Sequence, residues 1–278
     1  MIKRKLKLKW KIIFSILSFL LAIIICMRFI GTKGLMVREY LIKDNIPSSM
    51  YGLKVVHFTD LHYGMCVDDD KLEKLVEKIN KTKPDIVFFT GDLIDRNTTL
   101  NEELEKIIVS NLSKIKSTYG NYYVRGNHDK VNNSYDVIMN KANFISLNNT
   151  YQVIYLNDTK NIFIGGSDID TSIDSKLIEI LNNNDYNYKI FIMHYPDNID
   201  NILKYNFNLV LAGHSHNGQV RFPYSNPIVK PDNAKKYYNE YYKISDTNLY
   251  ISGGIGNSVL NFRLFNRPSF NLYRLVDK

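Results

Sequence analysis

The sequence predicts an α/β fold, a four-layer α-β-β-α sandwich in which two mixed sheets pack face to face between flanking helices. Three observations predict it. Short apolar runs alternate with helical periodicity from Leu53 to Val124. From Phe144 onward, strand-like runs follow one another across Asn-rich turns with few helical residues between them. A chain of 278 residues, 45% of them hydrophobic, can also bury one sizeable core.

The first element is apolar and flanked by charge. Lys3, Arg4, Lys5, Lys7, Lys9 and Lys11 precede a run from Ile12 to Met27 that only Ser15 and Ser18 interrupt. As a helix this run extends roughly 24 Å, short of a hydrocarbon core of roughly 30 Å. Continuing it to Ile30, with Lys11 and Arg28 snorkelling outward, closes the gap. Ile24-Ile25-Cys26-Met27 offers no small-residue cleavage site, so residues 1–30 read as a single-pass transmembrane anchor. Six basic residues precede the span, and Arg28, Lys33, Arg38 and Lys43 follow it. That bias places the N-terminus in the cytoplasm, the span in the cell membrane and the domain outside the cytoplasm. Residues 31–51, with Pro47, Ser48 and Ser49, read as a polar linker, and residues 52–278 as one folded domain.

Within that domain, Leu53–Phe58 and Asp85–Phe89 read as strands and Asp69–Thr82 as a helix. Glu102–Ile115 carries Leu104, Ile107, Ile108, Leu112 and Ile115 on a 3.6-residue period and reads as a second helix. Tyr122–Val124 repeats the strand signal, and the β-α-β-α-β order predicts parallel pairing. Phe144–Leu147, Tyr151–Leu156 and Ile162–Gly165 follow as strands and Ile173–Leu181 as a helix. The remaining strand-like runs are Lys189–Met193, Leu209–Ala212, Gln219–Phe222, Leu249–Ser252 and Phe270–Leu275.

Charge narrows the function. The formal net charge is +8, but residues 1–50 hold ten bases and two acids, leaving 26 of each to cancel in the rest. A nucleic-acid face would show clustered Lys and Arg within the domain, so no nucleic-acid partner is expected. Cys26 and Cys66 fall in the anchor and in a loop, a pairing that makes a disulfide implausible.

Five of the six histidines stand in short polar clusters, each just after a strand-like run. In order these read Asp60-Leu61-His62, Gly91-Asp92-Leu93-Ile94-Asp95, Gly126-Asn127-His128-Asp129, Met193-His194 and Gly213-His214-Ser215-His216. Loops at the carboxyl ends of strands gather into one site in open α/β sheets. Carboxylate and imidazole together suit hard and borderline divalent metals. Asp60 and His62, two apart on one strand exit, can grip one ion, and Asp92 on a glycine turn is placed to bridge two. His57 differs: it lies inside a strand and reads as a packing residue.

This series resembles the calcineurin-like metallophosphoesterases, whose pattern is Asp-x-His, Gly-Asp-x-x-Asp, Gly-Asn-His-Asp/Glu, His and Gly-His-x-His, over Gly52 to Leu275. The run from Ala212 to Pro223, with Gly253-Gly254-Ile255-Gly256-Asn257 and Arg263-Leu264-Phe265-Asn266-Arg267-Pro268, is similar to a membrane-linked bacterial phosphodiesterase branch. Asn217 departs from the glycine usual there. The resemblance implies the metallo-dependent phosphatase fold and two divalent ions, Mn, Fe or Zn. Asp60, His62, Asp92 and His216 would hold one, and Asp92, Asn127, His194 and His214 the other. It implies His128 as the catalytic histidine outside the ligand set, Asp95 as the acid orienting it, and Arg96 as a phosphate contact. The implied activity is hydrolysis of phosphodiester or pyrophosphate bonds, on a small-molecule or lipid phosphate ester that is lipid- or nucleotide-linked in the envelope. A phosphomonoesterase or protein phosphatase on the same metals, and a catalytically silent envelope scaffold, are the alternatives. Tyr224–Lys243, polar and tyrosine-rich, is expected at the rim of the substrate pocket.

Overall fold

The computed structural model describes residues 2–131, 134–157, 160–169, 175–183 and 185–278. Helix α1, Ile2–Ile25, runs on through a wider turn over Cys26–Ile30. Lys7–Ile30 is long and apolar enough to cross a membrane, with a mean hydropathy of 2.6 and none of it buried in the protein.

Two six-stranded sheets follow. The strands of the first are β1 (Met36–Asp44), β2 (Lys54–Phe58), β3 (Ile86–Phe89), β4 (Asn121–Tyr123), β5 (Phe144–Ser146) and β12 (Ser269–Asp277). They lie in the order β1-β12-β2-β3-β4-β5. The second sheet holds β6 (Tyr151–Asn157), β7 (Lys160–Gly166), β8 (Tyr188–Ile192), β9 (Leu209–Ala212), β10 (Tyr241–Ile244) and β11 (Thr247–Ile251). Its order is β10-β11-β9-β8-β7-β6. Strands β2 to β5 pair in parallel, as do β7, β8, β9 and β11. Antiparallel pairing of β12 with β2, of β10 with β11 and of β6 with β7 makes both sheets mixed.

Successive strand residues face opposite ways, and burial divides them into two sets. Val55, Ile86, Phe88, Ile190, Leu209 and Leu211 join the core between the sheets. Val56, Val87 and Phe89 turn outward to α2 (Asp69–Thr82), α3 (Glu102–Leu112) and α4 (Tyr135–Lys141). On the other side, Phe191, Val210 and Ala212 pack with Leu177 and Leu181 of α5 (Ser175–Asn183). The four layers expected from sequence are therefore present. Asp68 caps α2 by accepting from the Lys71 N–H, and Asn101 caps α3 by accepting from Leu104.

Several local readings need correction. Residues 36–44, read as part of a polar linker, form β1, paired in parallel with β12 along its whole length. Its alternation was hidden because Arg38, Glu39 and Lys43 interrupt the apolar positions, as is common on an edge strand. Gln219–Phe222 is not a strand; only Val220 makes an isolated bridge, to Leu264. Helix α4 and strand β10 were not foreseen. The predicted start of α5 at Ile173 lies outside the described residues.

Candidate metal centre

All five polar clusters lie just past the carboxyl ends of neighbouring strands. Asp60 and His62 follow β2, Asp92 follows β3, and Asn127 and His128 follow β4. His194 follows β8, and His214 and His216 follow β9, so both sheets deliver residues to one edge of the sandwich. Backbone bonds tie the loops together: Asp60 N–H donates to Gly91 O at 2.9 Å, His62 N–H to Asp92 O at 3.1 Å, and Gly213 N–H to His194 O at 3.2 Å.

The price of this convergence is backbone strain. Asp60, His62, Asp92, His214 and His216 all take positive φ, between 44° and 65°. Such conformations cost a non-glycine residue free energy, and they persist where surrounding structure over-determines them. At Gly91, φ is 95° and a Cβ would stand 2.2 Å from Gly126 N, so only glycine lets the Asp92 and Asn127 loops meet.

Donor atoms crowd together inside. His62 Nε2 lies 3.3 Å from His216 Nε2 and 3.7 Å from Asp92 Oδ2. His216 Nε2 is 3.5 Å from Asp60 Oδ1. On the other side of Asp92, its Oδ2 is 3.4 Å from His194 Nε2, which lies 3.0 Å from Asn127 Oδ1. Asp60, His62 and His216 form one group able to hold a cation, and Asp92, His194 and His214 another. A third group joins His62, Asp92 and His128.

Outer hydrogen bonds fix which imidazole atom faces inward. His194 Nδ1 donates to Thr90 O at 2.7 Å, which turns Nε2 toward Asp92. His214 does the reverse: its Nε2 donates to Asp232 O at 2.7 Å, freeing Nδ1. The Asp60 carboxylate accepts His214 N–H at 3.1 Å, and Asp92 Oδ1 accepts His128 N–H at 2.8 Å.

Electrostatics agree with a cation site. Burial lowers His62 and His214 to about 4 and takes His216 well below its usual range, so all three are neutral donors near pH 7. Burial alone would also lower His194, but the charge and hydrogen bond of Asp92 carry it up to about 9. Burial pushes the Asp60 carboxyl up to about 7, against attraction from His194 and with repulsion from Asp92. Asp92 stays ionised: burial opposes this, but His194, His62 and His128 together hold it well below the carboxylate range. His62 Nε2 and His216 Nε2 face each other beside the Asp60 and Asp92 carboxylates, and Asp92 also faces His194, so nitrogen and oxygen donors converge on two points. The donor set therefore fits two divalent cations.

The remaining expected residues fall in different places. Arg96 is exposed at the mouth of the cavity above the donors. Asp95 does not reach the His128 ring through Nδ1, which is buried with no hydrogen-bond partner. Its carboxylate accepts from Asn97 N–H at 3.0 Å and stands 3.9 Å from His62 Nδ1, which likewise has no hydrogen-bond partner. His57 packs as expected, fully buried with Nε2 2.8 Å from Thr90 Oγ1.

Two organising residues escaped sequence reasoning. Buried Asp129 accepts from Asp92, Leu93 and Gly126 N–H at 2.7, 2.9 and 2.8 Å, binding the β3 and β4 loops together. Its place at the end of Gly-Asn-His-Asp was the available signal. Arg263, fully buried, donates to Gly253, Gly254 and Gly256 carbonyls and to Asn257. It stiffens the loop on which Gly254 backs His216, where a Cβ would come within 2.9 Å of Nδ1.

Above the donors lies a cavity of about 480 Å³. Asp92, Asn127, His128, His214 and His216 line its floor; Met27, Ile228, Val229, Val259, Leu260 and Phe262 line its walls. Ile228 and Val229 fall within the predicted Tyr224–Lys243 rim, whose contribution to the cavity is apolar at this point. Met27 closes the circle from the end of the apolar helix: its carbonyl accepts from Arg263 N–H at 3.1 Å.

Comparison with known proteins agrees with this geometry. The model of the calcineurin-like phosphoesterase family matches residues 53–218. A Bacillus subtilis (strain 168) metallophosphoesterase, YkuE, is 29% identical over 261 residues, covering 89% of this chain and 88% of its own. A Helicobacter pylori (strain 26695) metallophosphoesterase is 28% identical over 240 residues, 81% of this chain, which spans 60% of that longer relative. Among solved structures, TT1561 of Thermus thermophilus shares the fold with a TM-score of 0.50 at 13% identity, over 73% of this chain and 90% of that one.

Proposed function

This chain belongs to the calcineurin-like phosphoesterases, metal-dependent hydrolases of phosphate esters, and we propose that it cleaves phosphodiester or pyrophosphate bonds at a two-metal centre held against a membrane. One observation carries the reading. The Asp92 carboxylate reaches His62 on one side at 3.7 Å and His194 on the other at 3.4 Å, as a residue shared by two ions must.

Asp60, His62, Asp92 and His216 would hold one ion, and Asp92, Asn127, His194 and His214 the other. When bound, such ions lower the pKa of water from about 15.7 toward about 7 and stabilise charge on phosphoryl oxygens. With two divalent ions bound, Asp60 and Asp92 would offset only half of their charge, and the floor of the cavity would carry a local +2 suited to a phosphate group. Arg96, exposed at the mouth, supplies a further cation to the phosphoryl oxygens. His128 lines the same floor, and its imidazole gives a proton to the leaving oxygen.

The walls favour an amphiphilic substrate. Met27 belongs to the apolar span, and it borders a cavity whose sides are Ile228, Val229, Val259, Leu260 and Phe262. A lipid- or nucleotide-linked envelope phosphate could present its ester to the floor and its apolar portion to these walls. The six basic residues before the span favour a cytoplasmic N-terminus, with the catalytic domain on the other side of the membrane.

The purified full chain, supplied with Mn, is expected to hydrolyse bis-p-nitrophenyl phosphate faster than p-nitrophenyl phosphate, with activity lost to a chelator. Turnover of the monoester alone would overturn the diester reading. Inertness toward both, in protein shown by elemental analysis to hold metal, would leave only a scaffold.

A further inference from the structure

A second cavity, of about 480 Å³, opens where the apolar helix meets the domain. It lies between residues 28–35, the outer face of α2 and the loop around Asn257. Five cations line it: Arg28, Lys33, Lys71, Lys74 and Lys78. No carboxylate is among its lining residues. Its remaining surface includes Phe29, Leu35, Val67, Ile255 and Pro268, which are apolar.

The arrangement follows from the elements. Lys71, Lys74 and Lys78 recur at three- and four-residue spacing, so α2 presents them on one face. Lys78 Nζ donates to Leu35 O, and Lys71 Nζ donates to Cys66 O. Each ammonium carries three donors, so these bonds tie the two groups to carbonyls of other lining residues and leave capacity for a ligand. Arg28 and the exposed Phe29 stand at the end of the span, where a bilayer's polar surface would lie.

We propose that this cavity seats the phosphate headgroup of an anionic membrane lipid, with its acyl chains running beside α1. Charge selects an anion, and the apolar surfaces select one that carries hydrocarbon. Continuity with the span selects the membrane as its source. The inference rests on the membrane-anchor reading and is independent of catalysis. Its role would be to fix the height and tilt of the domain over the bilayer, and hence of the metal-centre cavity that Met27 borders.

The test uses the full chain in neutral detergent. Thermal unfolding would be followed during titration with phosphatidylglycerol, phosphatidylcholine or soluble glycerol phosphate at equal phosphate. Phosphatidylglycerol is expected to raise the transition temperature saturably, with the other two inert. The variant Arg28→Gln, Lys33→Gln, Lys74→Gln should need at least ten times more phosphatidylglycerol for the same shift. A control variant losing three cations elsewhere, Lys81→Gln, Lys106→Gln, Lys114→Gln, should titrate like the parent. Equal stabilisation by glycerol phosphate would make the site one for free phosphate and overturn the lipid assignment. Equal weakening in both variants would reduce the effect to general charge and overturn the cavity. Should the first variant unfold, phosphorus-containing lipid retained by the purified parent supplies the second readout, and its absence refutes the site. Hydrolysis of bis-p-nitrophenyl phosphate, measured in the same samples, reports separately on the catalytic reading.

Discussion

His62 and His128 meet edge to face with 4.5 Å between ring centroids, yet their surroundings assign them different work. His62 shares a donor group with Asp60 and His216, whereas His128 is linked to the donors only through His62 and Asp92. If His128 handles the leaving-group proton, His128→Ala should cost about 10²–10⁴ in kcat while both metals stay bound. Elemental analysis of the variant decides the matter, because loss of one ion would make His128 a ligand instead. Asp129→Ala is the complementary case. It leaves every donor in place but removes the carboxylate that binds the Asp92, Leu93 and Gly126 amides. Metal affinity is expected to fall about 10–100-fold, as for outer groups that orient ligands. Unchanged affinity would show that the β3 and β4 loops hold their shape without it.

At the scale of elements, strands such as β3 and β9 were legible because both of their faces are buried, and the apolar run is unbroken. The donors were legible for a related reason: each stands in a short motif directly after such a run. Strand β1 was not, since its outward positions mix Glu39 and Lys43 with Val37 and Leu41. Only Ile42 is fully buried there, and it joins the core between the sheets. Strand β10 was hidden similarly, by a pattern of exposed and half-buried residues on the far edge. Asp95 shows a different limit, because spacing cannot tell whether a turn brings a carboxylate within hydrogen-bond reach of an imidazole; it stands 3.9 Å from His62 Nδ1. The integration of β1 is itself testable. Ile42→Ala should destabilise the full chain by about 2–4 kcal/mol in denaturant titration, the cost of truncating a packed aliphatic side chain. A change within about 0.5 kcal/mol, as for a surface position, would return residues 36–44 to the status of a linker.

For the whole molecule, the decisive relation is between the end of the apolar helix and the mouth of the metal-centre cavity. Arg263 links them: its N–H holds the Met27 carbonyl, and its guanidinium holds the loop beside His216. A Cβ at Gly31 would stand 1.9 Å from Arg263 O, so the chain leaving the span lies directly on this segment. Val259 and Leu260, next to it, are 72% and 59% exposed although they line the cavity. Apolar side chains left open at a cavity rim mark where an apolar partner fits. A substrate that reaches the centre from the bilayer would cover them, whereas a small soluble ester would not need to. Replacing both, as Val259→Asp with Leu260→Asp, should therefore act on one substrate class more than the other. For p-nitrophenyl hexadecyl phosphate in mixed micelles, kcat/KM is expected to fall at least tenfold further than for bis-p-nitrophenyl phosphate. Tenfold corresponds to about 1.4 kcal/mol, close to the range of about 1.5–3 kcal/mol for burying one aliphatic side chain. Proportionate losses on both substrates would mean that the rim shapes the site without recognising hydrocarbon, and the lipid-linked reading would fall while the phosphoesterase stood.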